Sequence, residues 1–421
     1  MNSRRSFLGR AATFTALAPL APSSLFADTR SPVKKGRTLV VVFLRGGIDG
    51  LNLIVPHGDK HYYEHRKRIA IPRPGSDPKS AIDLDGFFGL HPAAKNLAPV
   101  FESGICRALH AVGYAQNSRS HFEEQDTWET GVIGNTISSD GWLNRHLHST
   151  SGHGTIRAVS IGNNLPRILR GRAPAYSIRS VGDLAMPQLP GDPDAVAAAL
   201  REAYCEQPDN QTGHLHELMA RTASSTLDGA RQLKELAETE YQPRNGVSYE
   251  KTPISKSFQE AARLIRADIG TEVIEIDYGG WDTHNNQGGS DGPYANRLAA
   301  LADALATFAT DLDEKMKDVM LLTLSDFGRT AKENGNRGTD HGWANCMLAL
   351  GGATMSPARK KSPVGGAWPG LAPEQLHQDR DLSHTTDFRD VIGDAISAHL
   401  GNTALEYILP NHQHQPTDLL T

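Results

Sequence analysis

Carboxylate and imidazole side chains occur at close spacing in the second half of the sequence. Asp282 and His284 are two residues apart, Asp340 is adjacent to His341, and Asp326 lies between the two pairs. Ionised aspartate and neutral histidine together suit a divalent ion at neutral pH. Either pair alone could be a turn motif beside a surface histidine. As a set, these residues are candidate ligands of one divalent cation, whether zinc, manganese, iron or calcium.

A second group with chemical potential is Ser118, Arg119 and Ser120. Ser120 and Glu123 have the spacing of a capping box, so Ser120 could simply cap a helix. A serine at a helix N-terminus also lies in a positive partial potential, which favours a nucleophilic oxygen and a bound anion. The two interpretations are compatible, and the choice between Ser118 and Ser120 as nucleophile stays open.

A third group is the turn that begins at Arg45, followed by Gly46 and Gly47. The turn lacks the spacing of a dinucleotide-binding loop, so we do not expect such a cofactor. The glycines permit positive φ angles, and Arg45 could reach into a cleft and contact an oxyanion through its planar guanidinium. We interpret the nearby Asp49 as a turn-forming residue.

The elements that would position these groups are short apolar strands alternating with amphipathic helices. Predicted strands are Thr38–Leu44, Ile105–Val112, Ile156–Ile161, Glu272–Asp277, Val319–Leu324 and Cys346–Leu350. Predicted helices are Pro92–Glu102, His121–Glu129, Ala195–Tyr204, Leu215–Glu240, Lys256–Ala267, Tyr294–Lys317 and Asp387–His399. This order predicts an α/β fold with a doubly wound, mostly parallel sheet. In such sheets ligands bind beyond the carboxyl ends of the strands, where all the candidate groups lie.

The domain organisation follows from the same pattern. Residues 28–421 are predicted to form a single large α/β domain. The stretch from 181 to 255 is mainly helical and polar, interrupts the strand pattern, and is interpreted as a helical insertion or cap.

The first 27 residues have the pattern of a twin-arginine signal peptide. Arg4 and Arg5 precede a mildly apolar run that contains Pro19 and Pro22 and ends at Ala27. The run is too short and too weakly apolar for a stable membrane span. The sequence thus predicts a periplasmic or secreted protein that is carried by the twin-arginine export machinery.

The charge composition and the cysteine count limit the classes of binding partner. With 43 basic and 48 acidic residues, the formal net charge of -5 argues against a nucleic-acid partner. The 3 cysteines cannot all pair with one another, so in an oxidising compartment at least one thiol is free or bonded to a partner.

The motifs together resemble an uncharacterised, twin-arginine-exported bacterial family that is itself similar to the alkaline phosphatase and sulfatase superfamily. They are Arg45-Gly46-Gly47, Ser118-Arg119-Ser120-His121-Phe122, Gly280-Trp281-Asp282-Thr283-His284, Ser325-Asp326-Phe327-Gly328-Arg329-Thr330 and Gly338-Thr339-Asp340-His341-Gly342. The resemblance implies that Ser118 or Ser120 is the nucleophile. It also implies that Asp282, His284, Asp326 and His341 lie at metal-ligand positions.

Two departures from the superfamily pattern fall on the same implied metal ion. Arg45 stands where a strand-end aspartate is expected, and Phe327 stands where a histidine is expected. The resemblance therefore implies a site with a single metal ion in which Arg45 supplies the charge of the second one.

The leading functional hypothesis is an exported, metal-dependent hydrolase of an anionic small-molecule or glycan ester, either a phosphate or a sulfate. In it Ser120 attacks, and Arg45 and Arg119 hold the anion. The alternative is a non-catalytic, exported anion- or glycan-binding protein on the same scaffold. A third hypothesis is a metal-carrying cell-envelope partner of another exported protein.

Overall fold

The computed structural model describes residues 31–134, 138–152, 154, 156–184, 198–199, 236–355, 363–417 and 419. The signal peptide assigned to residues 1–27 lies outside the described residues. Most of the insertion assigned to 181–255 also lies outside them, with nearly all of the predicted helices Ala195–Tyr204 and Leu215–Glu240.

A nine-stranded sheet forms the centre of the described part of the chain. Its strands are β1 (Thr38–Leu44), β2 (Cys106–Gly113), β3 (Ala158–Ile161), β4 (Tyr176–Ile178), β5 (Val273–Asp277), β6 (Val319–Ser325), β7 (Asn345–Gly351), β8 (Val364–Gly365) and β9 (Thr386–Asp387). The order is β8-β2-β7-β6-β1-β5-β3-β4, with β9 also paired to β2. Among these strands only β7 runs antiparallel to its neighbours. The six predicted strands and the mostly parallel sheet are confirmed.

Helices connect these strands. The α-helices are α1 (Gly50–Leu53), α2 (Lys60–His65), α3 (Ala98–Glu102), α4 (His121–Thr130), α5 (Trp142–His148), α6 (Pro253–Ala267), α7 (Pro293–Leu312), α8 (Phe388–Asp394) and α9 (Leu405–Ile408). Shorter 3-10 segments are Pro92–Leu97, Arg167–Leu169, Val181–Leu184, Asp313–Lys317, Gly352–Thr354 and Pro373–Gln375, and a π-helix covers Ala395–Leu400. The predicted helix Tyr294–Lys317 is thus an α-helix whose last turn is 3-10, because Asp313 adopts a φ of 52°.

The alternation of side chains along β1 explains why helices cover both faces of the sheet. Val40 and Val42 pack in one apolar cluster with residues of α6 and α7. Leu39, Val41 and Phe43 pack in another, with residues of α4, α5 and α8. Because successive side chains of a strand point to opposite faces, a continuous apolar strand requires cover on both. The fold is therefore α/β and doubly wound.

Smaller elements complete the fold. Ser31–Pro32 pairs in parallel with Thr150–Ser151, and Ile54–Val55, Gly89–Leu90 and Ile82–Asp83 form a three-stranded antiparallel sheet.

Cys106 and Cys346 are buried free thiols, whereas Cys205 lies outside the described residues. No helix within the described ranges combines the length and apolarity needed to cross a bilayer.

Candidate metal centre

The carboxyl ends of three adjacent strands bring the predicted groups together. Strand β1 lies between β5 and β6, so the turn after Leu44 touches the segments that follow both neighbours. The backbone N–H of Gly46 donates to Asp326 Oδ1 at 3.0 Å, and that of Trp281 donates to the Arg45 carbonyl at 3.3 Å. The site is thus built at the sheet edge where α/β proteins bind ligands.

Three side chains, His121, Asp282 and His341, direct ligand atoms to a common point at this edge, and His284 contacts two of them. Asp282 Oδ1 lies 3.0 Å from His284 Nε2, 3.1 Å from His341 Nε2 and 3.5 Å from His121 Nε2. The Nε2 atoms of His284 and His341 are 3.0 Å apart. Potential ligand atoms of His121, Asp282 and His341 all lie within 4.8 Å of one another. Donors at zinc–nitrogen bond lengths of about 2.0–2.1 Å around one ion have mutual distances of roughly this size.

The second nitrogen of each imidazole is held by an acceptor. The contacts are His121 Nδ1 with Asp326 Oδ2 at 2.6 Å, His284 Nδ1 with Asp340 Oδ1 at 2.9 Å, and His341 Nδ1 with the Arg119 carbonyl at 2.8 Å. An acceptor at Nδ1 places the proton there and leaves the Nε2 lone pair free. Metal-ligating histidines are oriented in this way by a carboxylate or carbonyl behind them.

The donor set fits a divalent metal ion. His121 Nε2 is buried and has no hydrogen-bond partner among the described residues. A buried nitrogen without a partner is costly, and a cation at the common point would remove that cost. Burial lowers the pKa of His341, which keeps its ring neutral and able to ligate. Three imidazole nitrogens and one carboxylate oxygen suit zinc, manganese or iron better than calcium.

The structure places Asp326 and Asp340 behind the rings, although the sequence predicts them as ligands. Asp326 is fully buried and accepts a third hydrogen bond, from Gln125 Nε2 at 2.9 Å. Burial alone would raise the pKa of Asp326, but its bonds to His121, Gln125 and Gly46 outweigh this and lower it. An ionised Asp326 therefore orients His121, as Asp340 orients His284.

Arg329 is a site residue for which the sequence analysis predicted no role. Its buried guanidinium donates to Asp282 Oδ1 at 2.6 Å and to the Trp281 carbonyl at 3.0 Å. It also donates to the carbonyls of Gly46 and Gly47. Burial would raise the pKa of Asp282, but Arg329 and the neighbouring histidines lower it, so the carboxylate stays ionised. Arg329 is part of the sequence run that begins at Ser325, but only the tertiary structure shows that it contacts Asp282.

The two glycines after Arg45 are required by close approach. Gly46 and Gly47 have φ angles of 114° and 71°. A Cβ at Gly46 would lie 2.7 Å from the Asp282 backbone nitrogen, and one at Gly47 would lie 2.7 Å from the Phe327 ring. The Phe327 ring in turn packs 4.8 Å from His121 and 4.6 Å from His341, measured between centroids. An aromatic face thus fills the position at which the resemblance implied a second metal ligand.

Arg45 is bound by carboxylates. It contacts Asp277 at 2.6 Å and Glu129 at 2.7 Å, and it stacks 4.3 Å above the Phe43 ring. Burial alone would lower the pKa of Arg45, but the two carboxylates outweigh it and raise the pKa. The charge of Arg45 is therefore balanced within the protein.

Arg119 is paired in a similar way. Its guanidinium contacts Asp381 at 2.6 Å and stacks 5.1 Å from the Trp343 ring. Arg119 has a backbone φ of 59°, which residues other than glycine rarely adopt. Its carbonyl accepts a hydrogen bond from His341 Nδ1. The structure links this strained residue to the metal centre through its backbone.

The two candidate serines differ in their contacts. Ser118 Oγ donates to Glu124 Oε1 at 2.9 Å, and the Ser118 backbone N–H donates to the same carboxylate at 2.7 Å. Ser120 occupies the N-cap position of α4 but makes no side-chain capping bond within the described part of the chain. The capping box expected between Ser120 and Glu123 is therefore replaced by the pair Ser118 and Glu124.

His121 is the ligand candidate that the sequence analysis did not identify. It follows Ser120 directly and begins α4, at a strand end like the other groups. Its position in a run of serines and an arginine carried no spacing relation to Asp282 or His341.

Comparison with known proteins gives one family and several distant structural likenesses. A sequence profile described as "Protein of unknown function (DUF1501)" matches residues 109–404. No curated protein matches the chain.

Among solved structures, the PsFucS1 sulfatase from Pseudoalteromonas sp. has 13% identity and a TM-score of 0.31, covering 75% of this chain and 62% of that one. Ps i-CgsB has 11% identity and a TM-score of 0.35, covering 91% and 75%. The PH0037 protein from Pyrococcus horikoshii has 12% identity and a TM-score of 0.21, covering 76% and 89%. The chain spans less than two thirds of the PsFucS1 sulfatase, and likenesses of this strength carry no argument about activity.

Proposed function

The chain belongs to the DUF1501 family of proteins of unknown function, and we propose that it is an exported hydrolase of a phosphate or sulfate ester that depends on one divalent metal ion. The observation that carries the proposal is the cluster of His121, Asp282 and His341, in which His121 Nε2 otherwise lacks a partner. His284 Nε2 lies 3.0 Å from both Asp282 Oδ1 and His341 Nε2 and can join the cluster. The signal-peptide pattern of residues 1–27 supports export to the periplasm or beyond the cell.

The metal ion would be held by the Nε2 atoms of the three histidines and by Asp282 Oδ1. When bound, a divalent ion supplies Lewis acidity toward the oxygens of an ester. Arg329 keeps Asp282 ionised and aimed at the site, and Asp326 and Asp340 keep two of the rings in the ligating tautomer. The side chains of Asp282 and His284 are 43% and 35% exposed, so the site opens to solvent and a substrate can reach it.

We assign the nucleophile to Ser120. Its neighbours on either side both contact the metal centre, through the Arg119 carbonyl and the His121 ring. The Ser120 hydroxyl is not used in capping, whereas the Ser118 hydroxyl donates to Glu124. The N-terminus of α4 presents backbone N–H groups and a positive partial charge to an anion at Ser120.

In this proposal the two arginines that were expected to hold the anion do not contact it, and each acts through a neighbouring residue. Arg45 and Arg119 are each paired with carboxylates, so neither has a guanidinium face without a counter-charge. Arg119 positions His341 through its backbone, and Arg45 contacts Gln125, which donates to Asp326. The anion would be held by the metal ion and the start of α4.

The second candidate function is a non-catalytic, exported anion- or glycan-binding protein. Two observations favour it. With His284 added to the cluster of His121, Asp282 and His341, the site would have four protein donors, which is typical of structural zinc sites, whereas catalytic zinc sites keep an open position. In addition, both arginines are already neutralised.

The test is metal analysis of the purified, full-length protein, followed by assays with aryl phosphates and aryl sulfates. The proposal predicts about one equivalent of a transition metal and turnover of one ester class. Ser120→Ala should abolish turnover and retain the metal ion, and His341→Ala should lose both. Ser118→Ala serves as the matched control and should keep most of the activity. A metal-loaded protein that turns over neither class would support the second candidate.

A further inference from the structure

Phe122 is an unusual side chain for its position. Its side chain is 90% exposed, although it directly follows the ligand candidate His121 on the first turn of α4. Within the described residues, two other large apolar side chains are exposed, Met355 at 39% and Tyr407 at 41%. An exposed phenylalanine gains no free energy of burial, and a molecule bound beside His121 would cover this one.

The direction of Phe122 follows from the helix period. At about 100° per residue, Phe122, Gln125 and Glu129 lie along one stripe of α4. Gln125 Oε1 accepts from Arg45 at 3.1 Å and Glu129 Oε1 contacts Arg45 at 2.7 Å. The stripe therefore faces the ion pair of Arg45 with Asp277, at the carboxyl ends of β1 and β5.

The helix that carries Phe122 is held firmly. His121 and Gln125 both contact the buried Asp326, and Glu124 accepts from Ser118 and from Tyr114. The backbone that carries Phe122 is therefore already fixed. Contact with a ligand would reduce the conformational entropy of the Phe122 side chain alone.

The charges around Phe122 restrict what it can contact. Glu123 is exposed beside it, and Asp277, which binds Arg45 on the side that the stripe faces, is 44% exposed. Arg45, the cation that the stripe contacts, is 22% exposed and already bonded to two carboxylates. A second negative charge in this region would be repelled, and an uncharged apolar face would be accepted.

From these observations we propose that Phe122 is a specificity-determining residue that binds the organic group of the ester. That group is uncharged and presents an apolar face, such as an aryl ring, to the Phe122 ring. This proposal rests on the proposed function, since it requires that the metal centre hold the anionic end of the same molecule.

The test compares two non-hydrolysable probes on the metal-loaded, full-length protein by calorimetry. Phenylphosphonate carries the apolar group, and methylphosphonate lacks it. We expect phenylphosphonate to bind more tightly than methylphosphonate. Phe122→Ala should weaken phenylphosphonate about ten-fold and leave methylphosphonate unchanged, which is the effect of losing part of the burial of one aromatic ring. Phe122→Leu should show a smaller loss.

Controls separate the alternatives. Tyr407→Ala removes an exposed aromatic side chain elsewhere and should change neither affinity. The inference is overturned if Phe122→Ala weakens both probes equally or neither. It is also overturned if the wild-type protein forms a concentration-dependent dimer in sedimentation that Phe122→Ala abolishes, since a second copy would then be what covers the ring. If neither probe binds to the metal-loaded wild-type protein, the proposed anion site fails and this inference fails with it.

Discussion

Two polar clusters lie close together in this protein, and they are organised on opposite principles. In the Arg66 cluster, every guanidinium nitrogen has an acceptor: Asp49, Asn52 and the carbonyls of Thr330 and Ala331. In the metal centre, His121, His284, His341 and Asp282 turn their free lone pairs toward one another. In the first cluster every Arg66 nitrogen is paired within the protein, whereas in the second a bound cation would pair the facing ligand atoms.

The contrast extends to exposure. Arg66 and Asp49 are both fully buried as an ion pair at 2.6 Å, whereas Asp282 is 43% exposed. A buried pair stabilises the fold only if both partners remain, because removing one leaves an uncompensated charge. A partly exposed set of like donors contributes little to folding and can exchange a ligand. Charged residues of the same kinds thus form a buried ion pair in one place and a partly exposed set of candidate ligands in the other.

The largest expected effect is on the metal centre. Structural zinc sites bind with about 10–16 kcal/mol, so loss of one of four ligands should cost on the order of 4 kcal/mol, or about a thousand-fold in affinity. His284→Ala should show this loss in a chelator-competition titration. The melting temperature of the metal-free protein should hardly change, because His284 is not part of an apolar cluster. A large fall in that temperature would mean that the histidine is structural.

The Arg66 cluster should respond in the reverse manner. Arg66→Met leaves Asp49 buried without its partner and should lower the free energy of unfolding by about 3 kcal/mol. Metal affinity of the folded protein should stay within about two-fold of wild type, within the error of such titrations. The double variant Arg66→Met with Asp49→Leu should regain part of the stability. Urea unfolding in the presence of chelator measures the stability of both variants, and a chelator-competition titration measures the metal affinity of the folded protein.

Asp326→Asn sharpens the comparison, because Asp326 lies behind the candidate ligand His121 and contacts its Nδ1 atom. Its carboxylate contacts His121 at 2.6 Å, so neutralising it should lower metal affinity about 10- to 100-fold. Gln125→Ala removes a neighbouring hydrogen bond to the same carboxylate and is the matched control, with a smaller expected loss. An unchanged affinity in Asp326→Asn would show that His121 is not a ligand.

The smallest effect concerns a histidine that belongs to neither cluster. Burial, followed by the nearby Arg157, lowers the pKa of His146 to about 3. The unfolded chain takes up a proton near the ordinary pKa of about 6.5, so stability is full above that pH and falls as the pH drops toward 3. At pH 5.5 the loss from this one group should be about 1.4 kcal/mol. The unfolding free energies of wild type and His146→Gln should be measured from pH 5 to 7.5. Their slopes against pH should differ by an amount that corresponds to the uptake of up to one proton on unfolding.

Much of the framework could be predicted because apolar periodicity is local. The strands Thr38–Leu44 and Val319–Ser325 are runs whose every residue is buried, and such runs read clearly in the sequence. The positions of Asp282, His284 and His341 at strand ends followed from the same pattern. The predicted capping role of Ser120 did not follow, because Glu124 bonds to Ser118 instead.

The sequence by itself determined the α/β order, the doubly wound sheet and the edge at which the polar groups meet, since each depends on residues near one another along the chain. Tertiary structure alone decided the division of roles among those groups. His121 and Asp282 are far apart in sequence, and so are Arg329 and Gly46, yet the fold places His121 Nε2 3.5 Å from Asp282 Oδ1 and lets Arg329 donate to the Gly46 carbonyl. Whether an aspartate ligates a metal ion or orients a ligating histidine depends on distances of a few ångströms, which residue type and spacing do not encode.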